Sequence, residues 1–318
     1  MSTRLTRLLI ALLATGMLAV AAGCGGDDES SSGGGGGSSQ SADQPGKGKP
    51  AVTLGTKDFT EEFILGELYK QALEAKGYTV NLKKNIGATE ITDKALTSKK
   101  IDAYPEYSGE STATVFGINK IYDSPEATVA EAKSKYAERG QVVSNATPFE
   151  DVDAIATTKD FAQQNGLTSV EDLKKLQSFT LGARPEFKNR QVGLKGMEDV
   201  YGIENAKFKQ LALGLQYKAL DKNDVDTVNV FSTDAQLATG KYTVLKDPKG
   251  VFGFQNILFV MNKDKFDAVG GQPFMDVVNK VNTLLTAEAM RSMNSAVDID
   301  KKDPAEVAKA FLDANQLT

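Results

Sequence analysis

From residue 51 onward, short apolar runs alternate with stretches in which apolar residues recur at helical spacing. Residues 51–56 form a short apolar run, which is typical of a buried strand. The next apolar residues predict one face of a helix that ends at Gly77, and they are Ile64, Leu65, Leu68, Ala72 and Leu73. Asp58 and Glu61 precede this face at the spacing of a capping box. The pattern therefore predicts a strand followed by a helix.

The same alternation continues along the chain. We predict strands at 80–82 and 101–104, the second ended by Pro105, with a helix at 89–99 between them. After a connecting helix at 125–140 the alternation begins again, with strands at 153–157, 179–183, 208–212 and 225–231. Three helices are predicted in this second half. One opens with a capping box at Thr168 and Glu171, one ends at Tyr201, and one covers 216–220. Residues 273–317 are predicted to be mostly helical, with separate stretches at 286–293 and 304–312.

A weak internal repeat connects the two halves. Residues 94–108 and 218–232 both read Lys-Ala-Leu, four residues, Ile or Val followed by Asp, four residues, then an aromatic residue and Ser. The aromatic residues are Tyr107 and Phe231, and each follows a predicted strand. Because ligands of open α/β sheets bind at the carboxyl ends of strands, we expect the two rings to face each other across a cleft between similar lobes.

Two cationic residues occupy comparable positions. Lys57 follows the first predicted strand and Arg190 follows the strand at 179–183. A Lys and an Arg near helix-start amides form a receptor for a carboxylate or phosphate, while aromatic faces attract an organic cation. Taken singly, each cation could be an ordinary surface charge and Phe231 could belong to a core. Their shared position favours a site for a zwitterion.

The residues before position 51 predict export and anchoring. Residues 8–22 form an apolar stretch behind Arg4 and Arg7, which is short for a membrane span and typical of a signal peptide. It runs into Ala21-Ala22-Gly23-Cys24, which resembles a bacterial lipobox, with Ala21 where Leu is usual. This resemblance implies that 1–23 is cleaved and that Cys24 is lipidated; the alternative is ordinary cleavage that leaves a free thiol. Residues 24–50 then form a Gly/Ser-rich tether.

Composition narrows the possible chemistry. The chain has no His and one Cys, so it cannot form a Ser-His-Asp triad, a Cys-His pair, a His-rich zinc site or an internal disulfide. Its 37 basic and 42 acidic residues give a net charge of −5 without a basic run, which argues against nucleic acid as a partner. We expect a small molecule or a protein as the partner, and neither a cofactor nor a metal.

Three sequence blocks, at 55–65, 87–89 and 101–109, resemble the signature blocks of the glycine betaine/choline/carnitine-binding proteins of osmoprotectant ABC importers. The resemblance continues through 185–190, 200–202, 232–234 and the C-terminal helices. It implies a type II periplasmic-binding-protein fold, in which two α/β lobes joined by a hinge enclose an interlobe ligand cleft. By this resemblance, lobe 1 is 51–149 plus 248–318 and lobe 2 is 150–247.

The resemblance also implies roles for individual residues. Lys57 and Arg190 would hold the carboxylate of the solute, while Tyr107 and Phe231 would form part of an aromatic cage for a quaternary ammonium. Phe254 is assigned to the last wall of that cage.

Two residues depart from the family pattern. Asp153 stands where another cage aromatic is expected, and Glu110 stands where the pattern favours Thr. We therefore expect the Asp153 carboxylate to help hold the cation, and a cation with N–H donors or a larger betaine to bind better than glycine betaine. The alternative is that Asp153 caps a loop and that Phe252 or Phe254 completes the box.

Together these features predict a monomeric, lipid-anchored, extracytoplasmic solute-binding protein that hands a cationic or zwitterionic solute to an ABC permease and ATPase. Two other interpretations stay open at this stage. One is a ligand sensor that presents its closed form to a membrane receptor. The other is an enzyme that uses Lys57 with Ser or Asp partners. The lack of a Ser-x-x-Lys motif at the predicted cleft argues against this enzyme.

Overall fold

Two five-stranded sheets organise the computed structural model, which describes residues 44–318. The predicted signal peptide, Cys24 and most of the tether lie outside the described residues. The strands are β1 (Val52–Gly55), β2 (Val80–Lys83), β3 (Ala103–Tyr107), β4 (Gln141–Val143), β5 (Asp153–Thr158), β6 (Phe179–Ala183), β7 (Ala206–Gln210), β8 (Thr227–Phe231), β9 (Tyr242–Leu245) and β10 (Ile257–Asn262).

Helices connect and cover these strands. The α-helices are α1 (Thr60–Ala75), α2 (Thr89–Thr97), α3 (Ser108–Glu110), α4 (Pro125–Glu138), α5 (Lys159–Asn165), α6 (Leu194–Tyr201), α7 (Gln216–Asp221), α8 (Lys263–Ala268), α9 (Gln272–Leu284), α10 (Ala287–Asp298) and α11 (Pro304–Ala314). A π-helical turn at Ser111–Val115 continues α3. Within 44–318, none of the helices has both the length and the hydropathy required to cross a bilayer.

The two sheets have the same topology. Their strand orders are β2-β1-β3-β10-β4 and β7-β6-β8-β5-β9. In each sheet the first three strands are parallel and the fourth, β10 or β5, is antiparallel to both of its neighbours. We call the first sheet with its packed helices lobe 1 and the second lobe 2. The chain crosses between the lobes twice, before β5 and before β10.

The weak sequence repeat corresponds to this shared topology. In lobe 1 the Asp102 carboxylate accepts a hydrogen bond from the Thr53 N–H at 2.8 Å, and in lobe 2 Asp226 accepts from the Thr180 N–H at 2.7 Å. Asp102 thus ties the start of β3 to β1, and Asp226 ties the start of β8 to β6. Tyr107 and Phe231 end β3 and β8, which occupy the same place in the two sheets.

Pro105 does not end β3, contrary to the sequence prediction. The strand runs through it to Tyr107. Its partner in β10, Phe259, directs both its N–H and its C=O to Ser144 on the opposite side, so this position of the ladder requires no N–H from the proline. On its other edge, β3 pairs with β1 only through Ala103. Pro105 is tolerated because neither neighbouring strand, β10 or β1, requires an N–H donor at this position.

The first predicted capping box is also wrong. Helix α1 begins at Thr60 with Phe59 as its N-cap residue, and no side chain caps it. Glu61 instead directs its carboxylate into the space between the lobes. The second capping box lies one residue later than predicted, between Ser169 and Asp172, and it opens a 3₁₀ helix.

The central strand β10 was not predicted. All six of its residues are buried, because it lies between β3 and β4 with helices on both faces. A continuous apolar run of this length is the signature of such a strand. The C-terminal helices α9, α10 and α11 pack with α1 on lobe 1, as the predicted helical tail requires.

Candidate ligand-binding cleft

A cavity lies between the two lobes, at the carboxyl ends of β1, β3, β6 and β8. Both lobes contribute to its wall. The lining residues are Lys57, Asp58, Phe59, Ala88, Thr89, Tyr107, Glu110, Asp151, Asp153, Arg184, Glu186, Arg190, Leu213, Phe231 and Gln255. Five of the six residues assigned from the sequence line this cavity, which is the position that the topological argument requires.

Three aromatic rings form a stack in the cavity wall. The Phe59 ring lies 5.3 Å from Phe231 at an interplanar angle of 18°, and 6.1 Å from Tyr107 at 27°. Phe59 and Tyr107 belong to lobe 1 and Phe231 to lobe 2, so the stack bridges the lobes. Phe59 was not assigned from the sequence, although it follows β1 only two residues after Lys57.

Lys57 lies in the lobe 1 wall and is buried. Its ammonium forms a short ion pair with Glu106, lies 3.9 Å from a Glu62 carboxylate oxygen, and is 4.3 Å from the centroid of the Tyr107 ring. Burial raises the pKa of both carboxyl groups, that of Glu62 to about 8, although the nearby ammonium opposes the shift. One cation is thus shared between two acids.

Arg184 is the corresponding cation of lobe 2. Its guanidinium donates to both carboxylate oxygens of Asp153, at 2.7 and 2.9 Å, and to the Asn229 side-chain oxygen at 2.6 Å. It also lies 5.0 Å from the centroid of the Phe231 ring. Asp153 therefore lines the cavity as a carboxylate that is paired with Arg184, and its expected contribution to holding the solute's cation stays a prediction. It begins β5 and does not cap a loop.

Arg190 connects the lobes. It follows β6 in lobe 2, and its guanidinium lies 2.8 Å from Glu90 of α2 and 3.1 Å from Glu110 at the end of α3. Both acids belong to lobe 1. The sequence predicts a solute carboxylate beside Arg190, and the structure places two protein carboxylates there.

Phe254 is not brought to this cavity. It lines a separate cavity together with Ile121 and Val251, and Phe252 is buried in the lobe 2 core beside Phe187. Gln255 takes the position that Phe254 was expected to fill, and its side-chain oxygen accepts a hydrogen bond from the Glu110 N–H at 3.0 Å. Neither of the two phenylalanines considered for the last wall contributes to it.

A second contact between the lobes involves two acids and one hydroxyl. Thr233 Oγ1 of lobe 2 lies 2.6 Å from a Glu61 oxygen of lobe 1 and 2.7 Å from an Asp151 oxygen. A hydroxyl has one proton to donate, so both contacts are hydrogen bonds only when one of the carboxyl groups is protonated. Burial raises the pKa of both acids, which is consistent with that requirement.

The cavity wall carries more negative than positive charge. Among its described residues, three cationic side chains face five acidic ones. Such a wall attracts a solute that carries a positive charge. Within 44–318, no group of three or more acidic or cysteine side chains is arranged to hold a metal ion.

Two lobes of the same sheet topology, joined by two crossings and enclosing a polar and aromatic cleft, define the type II periplasmic-binding-protein fold. Residues 50–314 match the family described as the substrate binding domain of the ABC-type glycine betaine transport system. The chain therefore belongs to this family. Members bind small solutes outside the cytoplasm. They work with the permease and ATPase components of an ABC importer.

Individual relatives agree with this assignment. The glycine-betaine-binding protein of Pseudomonas aeruginosa is 29% identical over 276 residues, which cover 83% of this chain and 88% of the relative. The carnitine transport binding protein of Listeria monocytogenes is 26% identical over 275 residues, or 85% and 88% of the two chains. A solved glycine betaine/carnitine/choline ABC transporter structure shares the fold, with a TM-score of 0.67, 23% identity and coverage of 84% and 99%.

Proposed function

We propose that the protein is the lipid-anchored receptor of an ABC importer and delivers a small cationic or zwitterionic solute, of the quaternary-ammonium type, to its permease. The observation that carries this proposal is the interlobe cleft, where a stack of three rings lies within a wall of net negative charge. Aromatic faces and carboxylates are the groups that attract an organic cation. The names of the relatives, which refer to glycine betaine and carnitine, support the same solute class.

Binding would stabilise the closed arrangement of the lobes. The rings of Phe59 and Phe231 come from opposite lobes, as do the charged groups of Arg190 and Glu110. A solute that contacts both lobes binds the closed form better than an open form, so it shifts the population toward closure. The solute leaves the cleft chemically unchanged when the permease opens it.

The test is a binding panel. Isothermal titration of the full-length protein, purified from membranes, should detect a cationic or zwitterionic ligand among glycine betaine, choline, carnitine, ergothioneine and other betaines. Amino acids without a quaternary nitrogen serve as the comparison set. Recovery of the bound solute without modification is the expected result. Absence of binding to the whole panel by a folded protein would contradict the proposal, and so would turnover of a bound compound.

The anchor is a separate part of the proposal. It rests on Cys24 directly after Ala21-Ala22-Gly23, followed by the Gly/Ser-rich tether. Replacing Cys24→Ala should release the protein from the membrane fraction or leave it with its signal peptide. Ser39→Ala, in the same tether, is the matched control and should stay membrane-bound. If C24A remains as firmly attached as the unsubstituted protein, Cys24 does not carry the anchor.

A further inference from the structure

Asp151 lies in the first of the two crossings between the lobes. Its N–H donates to the Gln255 carbonyl of the second crossing at 3.1 Å. The next residue, Val152, forms two hydrogen bonds of 2.9 Å with Ser232 after β8. The Thr233 N–H donates to the Asp151 carboxylate itself, at 3.2 Å. The Asp151 carboxyl group is therefore attached to lobe 2 and should stay with that lobe when the cleft opens.

Glu61 approaches from the other side of the cleft. It belongs to α1, and its carboxylate accepts hydrogen bonds from the Tyr107 hydroxyl at 3.0 Å and the Asn294 amide at 3.1 Å. All three residues belong to lobe 1. From lobe 2, the Thr233 hydroxyl meets the Glu61 carboxyl group, and the Thr233 carbonyl accepts from the Asn294 amide at 3.2 Å. Closure is thus the step that brings Glu61 to Thr233.

The Thr233 hydroxyl lies between the two acids, 2.6 Å from a Glu61 oxygen and 2.7 Å from an Asp151 oxygen. It can donate to one carboxylate only, so the other acid must be protonated and donate to the hydroxyl oxygen. All three side chains are buried in this arrangement. Two ionised carboxylates on one buried hydroxyl would repel each other at a large cost, so the closed form requires one added proton.

The surroundings do not supply a charge that could replace this proton. Within 44–318, the cations of the cleft wall pair with other acids, and Lys301 donates to a backbone carbonyl of α10. Burial, and then the charge of Glu61, raise the pKa of Asp151 well above its usual range. The other titratable side chains around the pair are acids or tyrosines: Asp58, Glu62, Asp153, Asp234, Asp298, Tyr69, Tyr107 and Tyr217.

We propose that closure of the lobes takes up one proton, which Glu61 and Asp151 share through Thr233, so that solute binding is linked to pH. This inference rests on the proposed function, because the solute is what favours closure. In an open form the two acids separate, and each can ionise in contact with water. The closed form therefore has the higher pKa: it is favoured in acid, and this advantage is lost as the pH rises through that value.

The first test counts protons. Isothermal titration of the full-length protein in phosphate and in Tris, which differ in ionisation enthalpy, gives the number of protons taken up per bound solute. The probes are glycine betaine, choline and carnitine, which keep one protonation state between pH 6 and pH 8. The unsubstituted protein should take up about one-half to one proton in this range, so its Kd should rise by about threefold to tenfold per pH unit.

The variants remove one acid of the pair at a time. Asp151→Asn and Glu61→Gln each replace a carboxyl group by its neutral counterpart, so the pair no longer requires a proton. Both should lower the uptake to less than about 0.2 protons and flatten Kd to less than about twofold per pH unit. Glu150→Gln is the matched control, because it removes a half-buried acid of the same crossing that lies against lobe 1. Its proton uptake should equal that of the unsubstituted protein.

A second measurement requires no solute. The chain contains no tryptophan, so Leu213→Trp in the cleft wall gives one emission signal that reports burial of the cleft. Its emission maximum should move to shorter wavelength from pH 8 to pH 5.5, because acid favours closure. The same substitution combined with D151N should show no such shift.

Equal proton uptake in D151N and the unsubstituted protein, or an equal loss in E150Q, would overturn the inference. If D151N does not fold, E61Q decides by the same comparison. Solute binding without proton uptake overturns the inference while the proposed function stands. If the whole panel fails to bind, the proposed function falls, and the emission of L213W then decides the inference: an unchanged maximum between the two pH values would overturn it.

Discussion

Lys57 and Arg184 occupy equivalent positions in the two lobes. The sequence Thr53-Leu54-Gly55 in β1 matches Thr180-Leu181-Gly182 in β6, and a cation follows two residues later in both lobes. Their counterions come from different strands, since Glu106 lies in β3 whereas Asp153 lies in β5. The shared Thr-Leu-Gly sequence of β1 and β6 thus fixes the position of each cation, but it does not determine which acid neutralises that cation.

The two ion pairs also differ in kind. The planar guanidinium of Arg184 matches the Asp153 carboxylate with two parallel hydrogen bonds and uses a third contact for Asn229. The ammonium of Lys57 is a point charge near two acids, and one oxygen each of Glu62 and Glu106 lacks a hydrogen-bond partner in the described structure. Lobe 2 therefore holds its cation through matched hydrogen-bond geometry, whereas lobe 1 places its cation beside two buried acids that compete for it.

The largest effect is expected from removing the lobe 2 cation. Arg184→Leu leaves the buried Asp153 carboxylate and Asn229 without their partner, which should lower the free energy of unfolding by about 3–5 kcal/mol. Urea denaturation of the full-length protein measures this change. The control is the double variant Arg184→Leu with Asp153→Leu, which should recover much of the loss because no charge stays unpaired. A single-variant loss below about 1 kcal/mol would show that the pair does not contribute as argued.

Removing the lobe 1 cation should cost less, and the cost should depend on pH. Lys57→Met leaves two buried acids whose pKa values burial already raises, so they can take up protons in place of the ammonium. We expect a loss of about 1–3 kcal/mol at pH 8. The pKa of Glu62 is raised from 4.5 to about 8 in the folded state, so its protonated form stabilises the fold at pH values below 4.5. This stabilisation is lost as the pH rises through about 8.

The loss caused by K57M should therefore shrink from pH 8 to pH 5. Urea denaturation at both values measures the change, and R184L is measured in parallel as the reference. A loss in K57M that does not vary with pH would contradict the protonation of Glu62 and Glu106.

The smallest effect concerns the two aromatic residues that end β3 and β8. Tyr107→Phe removes the hydroxyl that donates to Glu61 at 3.0 Å, and it should cost about 0.5–1.5 kcal/mol. The matched change in lobe 2, Phe231→Tyr, adds a hydroxyl to a half-buried ring and should change stability by less than that. Thermal unfolding of both variants in parallel measures the difference. Equal losses in both would mean that ring packing, and not the Glu61 hydrogen bond, decides the cost.

Much of the fold could be predicted because its signals are local. The apolar face of α1 and the strands at 153 and 179 depend on spacing that the sequence displays directly, and the structure confirms these elements. The prediction that β3 ends at Pro105 was wrong because a proline is tolerated in a strand according to which edge of that strand is paired. This pairing is a property of the assembled sheet. The predicted capping role of Glu61 was wrong because the hydrogen-bond partners of its carboxylate come from distant elements, namely Tyr107, Thr233 and Asn294.

The sequence by itself determined the alternation of strands and helices, the repeat that places Tyr107 and Phe231 at equivalent strand ends, and the positions of Lys57 and Arg190. These follow from periodicity and from the rule that binding residues gather at the carboxyl ends of strands. Only the tertiary structure decided how the charges pair, because Glu106, Asp153 and Glu110 reach their cations across strands or across lobes. A charge pair forms according to distance in space and burial, and neither is encoded in the spacing of residues along the chain.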